Sequence, residues 1–287
     1  MSVVKRVLTA SLVLALVTCG VLAGCSETLS AQGISDKTVA ASSNVDTVKM
    51  DVSMSMEMSG SSGADSFNLT ALETGTEWVR NAGKEMKANM DVSLDIGILD
   101  KQNASVQIFV LNGWMYMGAT LSGFGEQWVK SAMTDKYWQT QDQLAQQTEF
   151  LKTAVTVTLL GSEKVDGTDC YILQINPDMA AITEWFLSQQ EQQSSGIDWS
   201  QIDLSDIFKN YSIKAWIAKG SYLPIKEEIE LTLEMTPQDL GAGADETGKV
   251  TMSMNGQVKF YDYNKPFTIE LPPEAATATD ISSSSSY

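Results

Sequence analysis

The chain has 287 residues, of which 43% are apolar, so it can bury a core the size of one or two domains. Its 36 acidic residues against 19 basic ones give a formal net charge of −17, which disfavours nucleic acid and anionic membrane surfaces as electrostatic partners. Histidine is absent, which excludes Ser-His-Asp and Cys-His catalysis and zinc sites that contain histidine.

The N-terminus has the pattern of an export signal. Lys5-Arg6 precedes an uncharged run over 7–23, which is slightly short for a spanning helix. The run ends in Leu22-Ala23-Gly24-Cys25, which resembles a bacterial lipobox. That resemblance implies cleavage before Cys25 and attachment of lipid to its thiol, and two or three acyl chains hold a protein firmly to a bilayer. We expect 1–24 to be a lipoprotein signal peptide and the protein to be anchored at the extracytoplasmic side of the cell envelope. An ordinary membrane helix with an incidental cysteine is the alternative.

Two segments have the composition of linkers. Residues 25–44 are rich in Ser and Ala, which predicts a flexible tether between the anchor and the folded part. Residues 275–287 end in a run of serines before the terminal Tyr287, which predicts a disordered tail. The folded domain is therefore expected to span residues 45–274.

Within that domain the dominant period is two, which predicts strands with one apolar face. Apolar and polar side chains alternate over 48–58, 86–96 and 250–260. Further strand-like runs are joined by short turns with Asn-Gly, Asp-Gly or Gly-Ser, and these predict antiparallel hairpins. The predicted hairpins cover residues 106–117, 158–175 and 211–235.

Helical patterns are few and are grouped in the middle of the chain. Asn176-Pro177 is a typical helix start, and an apolar stripe follows it as far as Phe186. Weaker helical spacing covers 142–155 and 205–209. Long strands with a few inserted helices predict an α+β fold, in which helices cover the concave face of a strongly curved antiparallel sheet, an incomplete β-barrel.

Three features in this order form a known pattern: the lipobox, the pair Lys214-Ala215-Trp216-Ile217 and Tyr222-Leu223-Pro224-Ile225-Lys226, and the closing run over 256–272. With the long strands and the helical insertion, they resemble the LolA/LolB-like superfamily of envelope lipoprotein carriers, and within it the anchored LppX/LprG type. The resemblance implies a half-barrel lidded by helices, with an apolar cavity that takes acyl chains.

The methionines give a functional hint that is independent of the resemblance. Unbranched thioether side chains adapt to variable shapes, so methionines on strand faces suit a cavity for flexible chains. The alternative is that they fill an ordinary core, since core and cavity share one face in such folds. We expect neither a metal site nor a cofactor, because no Cys or His joins the methionines to complete a copper(I) site. The predicted ligand-binding residues are Met54, Met56, Met90, Val92, Met252 and Met254.

Cys170 is the cysteine that remains after signal cleavage and lipidation. It lies in a strand-like run and has no His or adjacent base to activate it, so we expect a small buried apolar residue. We expect no enzymatic activity.

Two hypotheses follow for the function. The first is a membrane-anchored lipoprotein that binds or transfers lipid, with a lipid or a lipidated molecule as its partner. The alternative is a non-enzymatic, surface-tethered module that docks another envelope protein. The two hypotheses differ in whether the apolar face encloses a void.

Overall fold

A computed structural model describes residues 29–62, 65–95, 101–121, 125–133, 138, 155–178, 207–236 and 248–281. Within them one α-helix, α1 (Ala31–Ser42), precedes twelve strands, and a 3-10 helix (Pro273–Thr277) lies before the last strand. The strands are β1 (Thr47–Ser62), β2 (Asp65–Arg80), β3 (Glu85–Asp95), β4 (Gln102–Leu111), β5 (Trp114–Leu121), β6 (Gly125–Ala132), β7 (Val155–Val165), β8 (Thr168–Pro177), β9 (Phe208–Ala218), β10 (Pro224–Met235), β11 (Gly248–Tyr261) and β12 (Thr279–Asp280).

All twelve strands form one sheet in the order β12-β6-β5-β4-β3-β2-β1-β11-β10-β9-β8-β7. Neighbours pair antiparallel, except for the short parallel pair of β12 with β6. The two outer strands of this order do not pair with each other within the described residues, so the sheet stays open. The prediction of a curved, incomplete barrel is confirmed.

The three predicted hairpins are confirmed, and their turn residues explain them. Asn112-Gly113 joins β4 to β5 with φ angles of 53° and 77°, and Asp166-Gly167 joins β7 to β8 with 47° and 85°. Two consecutive positive φ angles match the twist of the flanking strands, and Asn, Asp and Gly adopt them at low cost. The third hairpin joins β9 to β10.

The structure describes little of the predicted helices. The helix start predicted at Asn176-Pro177 is wrong, because both residues belong to β8, and Val155 begins β7. Of the helices predicted at 142–155 and 176–186, residues 142–154 and 179–186 lie outside the described residues. The helical turn predicted at 205–209 is wrong at its end, because β9 begins at Phe208.

Residues 31–42 correct the predicted tether. They form α1, whose N-terminus is capped by the side chain of Ser30, which accepts a hydrogen bond from the Gly33 amide at 3.0 Å. Ile34 of this helix is fully buried against apolar side chains of β8 and β9. About one turn further along the helix, Lys37 lies over the ring of Tyr222, 4.8 Å from the centroid. The tether prediction for 25–44 is therefore wrong for residues 31–42, while 25–28 lie outside the described residues.

The C-terminal segment also corrects the prediction. Residues 275–281 continue through the 3-10 helix into β12, which pairs with Val129 and Lys130 of β6. Ala275 and Ala278 are buried against Phe109. Phe109 lies on the polar face of the sheet, which is the face opposite Val79 and Val110. The disordered tail predicted for 275–287 is therefore wrong as far as residue 281.

One end of the apolar face holds the main core. Val48, Met50, Val79, Val110 and Phe260 are each 2% exposed or less and belong to one packed group. This group joins β11 to β4 across the three strands between them, as a curved sheet allows. We call this the closed end of the sheet. None of the described helices is long and apolar enough to cross a membrane.

Candidate functional site: the methionine face

All six predicted ligand-binding residues lie on one face of four neighbouring strands. Cross-strand partners in a sheet point to the same face. The register pairs Met56 on β1 with Met254 on β11. It also aligns Met54 with Glu73 on β2, and Glu73 with Val92 on β3. We call this surface of β11, β1, β2 and β3 the methionine face, and its defining residues are Met54, Met56, Met90, Val92, Met252 and Met254.

Burial changes along the strands of this face. At the closed end, Val48 and Met50 are 1% exposed. Four residues further along β1, Met54 is only half-buried, and Met56 and Met58 are half-buried too. The apolar pattern therefore continues beyond the point where tight packing stops.

Gly256 lies in the middle of the face, where the described residues leave space. It lies directly opposite Met54, so a side chain at this position would point to the methionine face. A Cβ atom added at Gly256 would meet, among the described residues, the Cβ atom of Ile229 alone, at 3.8 Å. Gly75, one strand away from β1, differs, because an added Cβ atom there would collide with the carbonyl oxygen of Asn89 on β3. Such close backbone approach at a strand glycine is typical of a sharp bend of the sheet.

A large apolar side chain is exposed at the opposite end of the strands, which we call the open end. Phe67, on β2, pairs with Gly60 and is 48% exposed. Leu121, at the end of β5, is also 50% exposed on this face, but it lies in the row of Ala104 and Val92, nearer the middle of the face. The apolar face thus extends from a packed end to an end that is accessible from outside.

Three carboxylates on this face were missed by the sequence analysis. Glu73 aligns with Met54, Glu77 aligns with Met50, and Glu227 on β10 aligns with Val258. Glu77 and Glu227 are each 7% exposed, whereas Glu73 is half-buried. The sequence of β2 does indicate Glu73 and Glu77, because these glutamates interrupt an otherwise small or apolar alternation from Leu69 to Val79.

Burial raises the pKa of Glu227 and of two tyrosines near it. Loss of hydration raises the pKa of Glu227 to about 7. Burial, followed by the charge of Glu227, also raises the pKa of Tyr211 and of Tyr263. The hydroxyl of Tyr263 donates to the carbonyl of Pro224 at 2.7 Å. Glu227 and Tyr263 lie where the methionine face meets the closed end of the sheet.

The opposite face of the sheet holds residues with structural roles. Trp216 is 2% exposed, its ring lies between Lys226 at 4.2 Å and Lys214 at 4.7 Å, and its Nε1–H donates to Glu163. Cys170 is fully buried, as predicted, and burial raises its thiol pKa, which disfavours the reactive thiolate.

A shallow depression of about 440 Å³ lies on this polar face too, between β2 and β5. Its lining includes Thr74, Asp91, Asn103 and Ser105, so it does not suit hydrocarbon. No group of three or more His, Cys, Asp or Glu side chains within the described ranges is placed to hold a metal ion.

The described strands form an open, curved antiparallel sheet with one apolar face, and this architecture is the fold class of the protein. The chain belongs to a family of unknown function, DUF6612, whose model matches residues 30–280. Comparison with curated proteins gives no match.

Solved structures similar to the chain include a mycobacterial lipoprotein and a LolA superfamily protein. LprF from Mycobacterium bovis is 13% identical, with 84% of this chain and 96% of that chain covered and a TM-score of 0.41. The lipoprotein LppX from Mycobacterium tuberculosis is 12% identical, with 84% and 98% covered and a TM-score of 0.38. A LolA superfamily protein from Nitrosomonas europaea is 13% identical, with 85% and 96% covered and a TM-score of 0.20. LppX and the LolA superfamily are among the groups that the sequence resembles.

Proposed function

We propose that this protein binds the acyl chains of a lipid or lipidated molecule against its methionine face, at the cell envelope, while anchored through Cys25. The observation that carries the proposal is the space that the described residues leave above Gly256, in the middle of an apolar face. A single curved sheet does not readily fill its concave side with its own side chains, and the half-buried Met54 and Met56 border that space.

Hydrocarbon is the ligand class that such a face suits. Apolar cavities stay dry and accept apolar ligands. Each methylene removed from water contributes about 0.8 kcal/mol, so a chain of about a dozen carbons binds without a charged anchor. Methionine side chains adapt to chains of different length and position. The exposed Phe67 extends the apolar surface to the open end, where a chain would enter.

The anchor belongs to the same proposal. Lipid attached to Cys25 would hold the domain near the bilayer from which acyl chains are taken. Helix α1 begins at Ala31, so few residues separate Cys25 from the folded domain. The domain would therefore stay close to the membrane surface.

The test compares lipid retained by three purified proteins. Wild type, Gly256→Leu and Asn255→Leu are extracted with organic solvent, and bound lipid is quantified by mass spectrometry. Leu at 256 fits the open space, so the fold should survive, because Gly is itself unfavourable in a strand. Asn255 is exposed on the opposite face and provides the matched control.

We expect about stoichiometric lipid in wild type and Asn255→Leu, and a clear loss in Gly256→Leu at an unchanged melting temperature. Equal lipid in all three proteins would place the ligand elsewhere. No lipid in any of them, together with no binding of added acyl probes, would favour the module that docks another envelope protein.

A further inference from the structure

Glu73 is a carboxylate in the centre of the methionine face. The register places it between Met54 and Val92, in the same row as the open space at Gly256. No hydrogen bond or ion pair joins Glu73 to any residue that the structure describes. A half-buried charge among apolar side chains is costly unless something pairs with it. Two strands away in the same row, the described residues leave space at Gly256 for a partner from outside the chain.

No Lys or Arg of the described strands around Glu73 lies on this face. In the described parts of β1–β6, β10 and β11, every Lys and Arg within the paired registers points to the opposite face. The acidic residues of the face are Glu73 and, nearer the closed end, Glu77 and Glu227. A negatively charged head group would therefore be repelled here, on a protein whose net charge is already −17.

We propose that the ligand of the methionine face is an amphiphile with an amine head group, whose ammonium pairs with Glu73 while its hydrocarbon chain runs toward the open end. This inference rests on the proposed function and names its ligand class.

The direction of the chain follows from burial. Toward the closed end, the row of Met50 is packed and offers no room. Toward the open end, the rows of Met56 and Met58 are half-buried, and the face ends at the exposed Phe67. Six residues of β2 separate Glu73 from Phe67, which is about 20 Å at about 3.4 Å per residue. That length accommodates the hydrocarbon chain of a typical membrane lipid.

The experiment compares three ligands that share one hydrocarbon chain length: hexadecylamine, hexadecanoic acid and methyl hexadecanoate. Their affinities are measured by displacement of a neutral fluorescent lipid from the wild-type protein, Glu73→Gln and Glu57→Gln. Glu57 is an exposed carboxylate on the opposite face of β1, so its variant controls for non-specific attraction of a cation to an acidic protein. Glu73→Gln keeps the shape of the side chain and removes the charge.

In wild type we expect the amine to bind at least about tenfold more tightly than the ester, since hydrogen bonds to charged groups are worth more than a factor of ten, and the acid to bind most weakly. Glu73→Gln should abolish the preference for the amine and leave the ester unchanged, whereas Glu57→Gln should keep the preference.

Ester binding without a preference for the amine in wild type would overturn this inference alone. A preference that survives in Glu73→Gln, or that falls equally in Glu57→Gln, would also overturn it. Failure of all three ligands to bind wild type would overturn the proposed function itself, and this inference with it.

Discussion

Gly256 lies directly opposite Met54 in the β1–β11 pairing, and among the described residues its missing side chain leaves space above the centre of an apolar face. A strand that needed only to pack a core would place a larger residue there, because glycine weakens strands. The combination of a gap with half-buried methionines on the same face favours a cavity over a filled core.

Narrowing the cavity should reduce ligand binding. Met54→Trp and Met90→Trp add bulk to the methionine face, and we expect each to weaken binding of a neutral fluorescent lipid several-fold. Overpacking typically costs about 1–3 kcal/mol of stability, so both variants should remain folded. Ser53→Trp is the control, since Ser53 is exposed on the polar face of the same strand. Full binding by both folded variants would show that the ligand lies elsewhere.

Removing the proposed lipidation site should release the protein from the membrane. We expect Cys25→Ala to be recovered as an uncleaved or soluble chain, and Cys19→Ala to behave as wild type, because Val17 and Thr18 before Cys19 fit a lipobox poorly. Cell fractionation and the intact mass of the purified chain measure both properties. A Cys25→Ala protein that stays in the membrane with the processed mass of wild type would contradict the anchor.

Trp216 should contribute to stability and not to ligand binding. Its ring is buried between Lys214 and Lys226 on the polar face, and its Nε1–H donates to Glu163. We expect Trp216→Ala to lower the free energy of unfolding by about 3–5 kcal/mol. Trp216→Phe keeps a ring between the lysines and should cost about 1 kcal/mol for the lost hydrogen bond. Loss of lipid binding at an unchanged melting temperature would argue for a functional role instead.

Glu227 should make the protein less stable as the pH rises. Burial raises the pKa of its carboxyl from 4.5 to about 7, so between these values the folded protein holds a proton that the unfolded chain has released. The free energy of unfolding should therefore fall between about pH 4.5 and pH 7, by up to about 3 kcal/mol from this group. Glu227→Gln should remove that fall. Denaturant titrations at several pH values measure it, and identical pH profiles for both proteins would contradict the role of Glu227.

The strands and their hairpins were predictable because their signals are local. Alternation of apolar and polar residues over 48–58 fixes which face of β1 is apolar, and Asn112-Gly113 fixes a two-residue turn. The alternations over 48–58, 86–96 and 250–260 cover all six predicted ligand-binding residues, and the strand register places them on one face.

Helix α1 and β12 were missed because their stability depends on distant contacts. Residues 31–42 are mostly small or polar, and what holds them in place is Ile34, which is buried against β8 and β9. Ala275 and Ala278 likewise pack against Phe109, far away in sequence. Their own side chains give no apolar period that would indicate this burial. The cap at Ser30 was readable locally, but a cap alone does not make a stable helix.

Glu73 was missed for a different reason. A glutamate at an apolar position of a strand reads as a break in the pattern, and only the register of β2 with β1 shows that it faces Met54. Departures of this kind from the apolar pattern are expected at functional sites.

The most direct test of acyl-chain binding is photo-crosslinking with a neutral long-chain ester that carries a diazirine near the middle of its chain. Bound to the purified protein and irradiated, it should label residues of the methionine face, and peptide mapping by mass spectrometry should locate the label on β1, β3 or β11. We expect labelling at or next to Met54, Met56, Met90 or Met254, and its suppression by excess unlabelled ester. Labelling confined to the polar face, or labelling that excess ester does not suppress, would contradict the account.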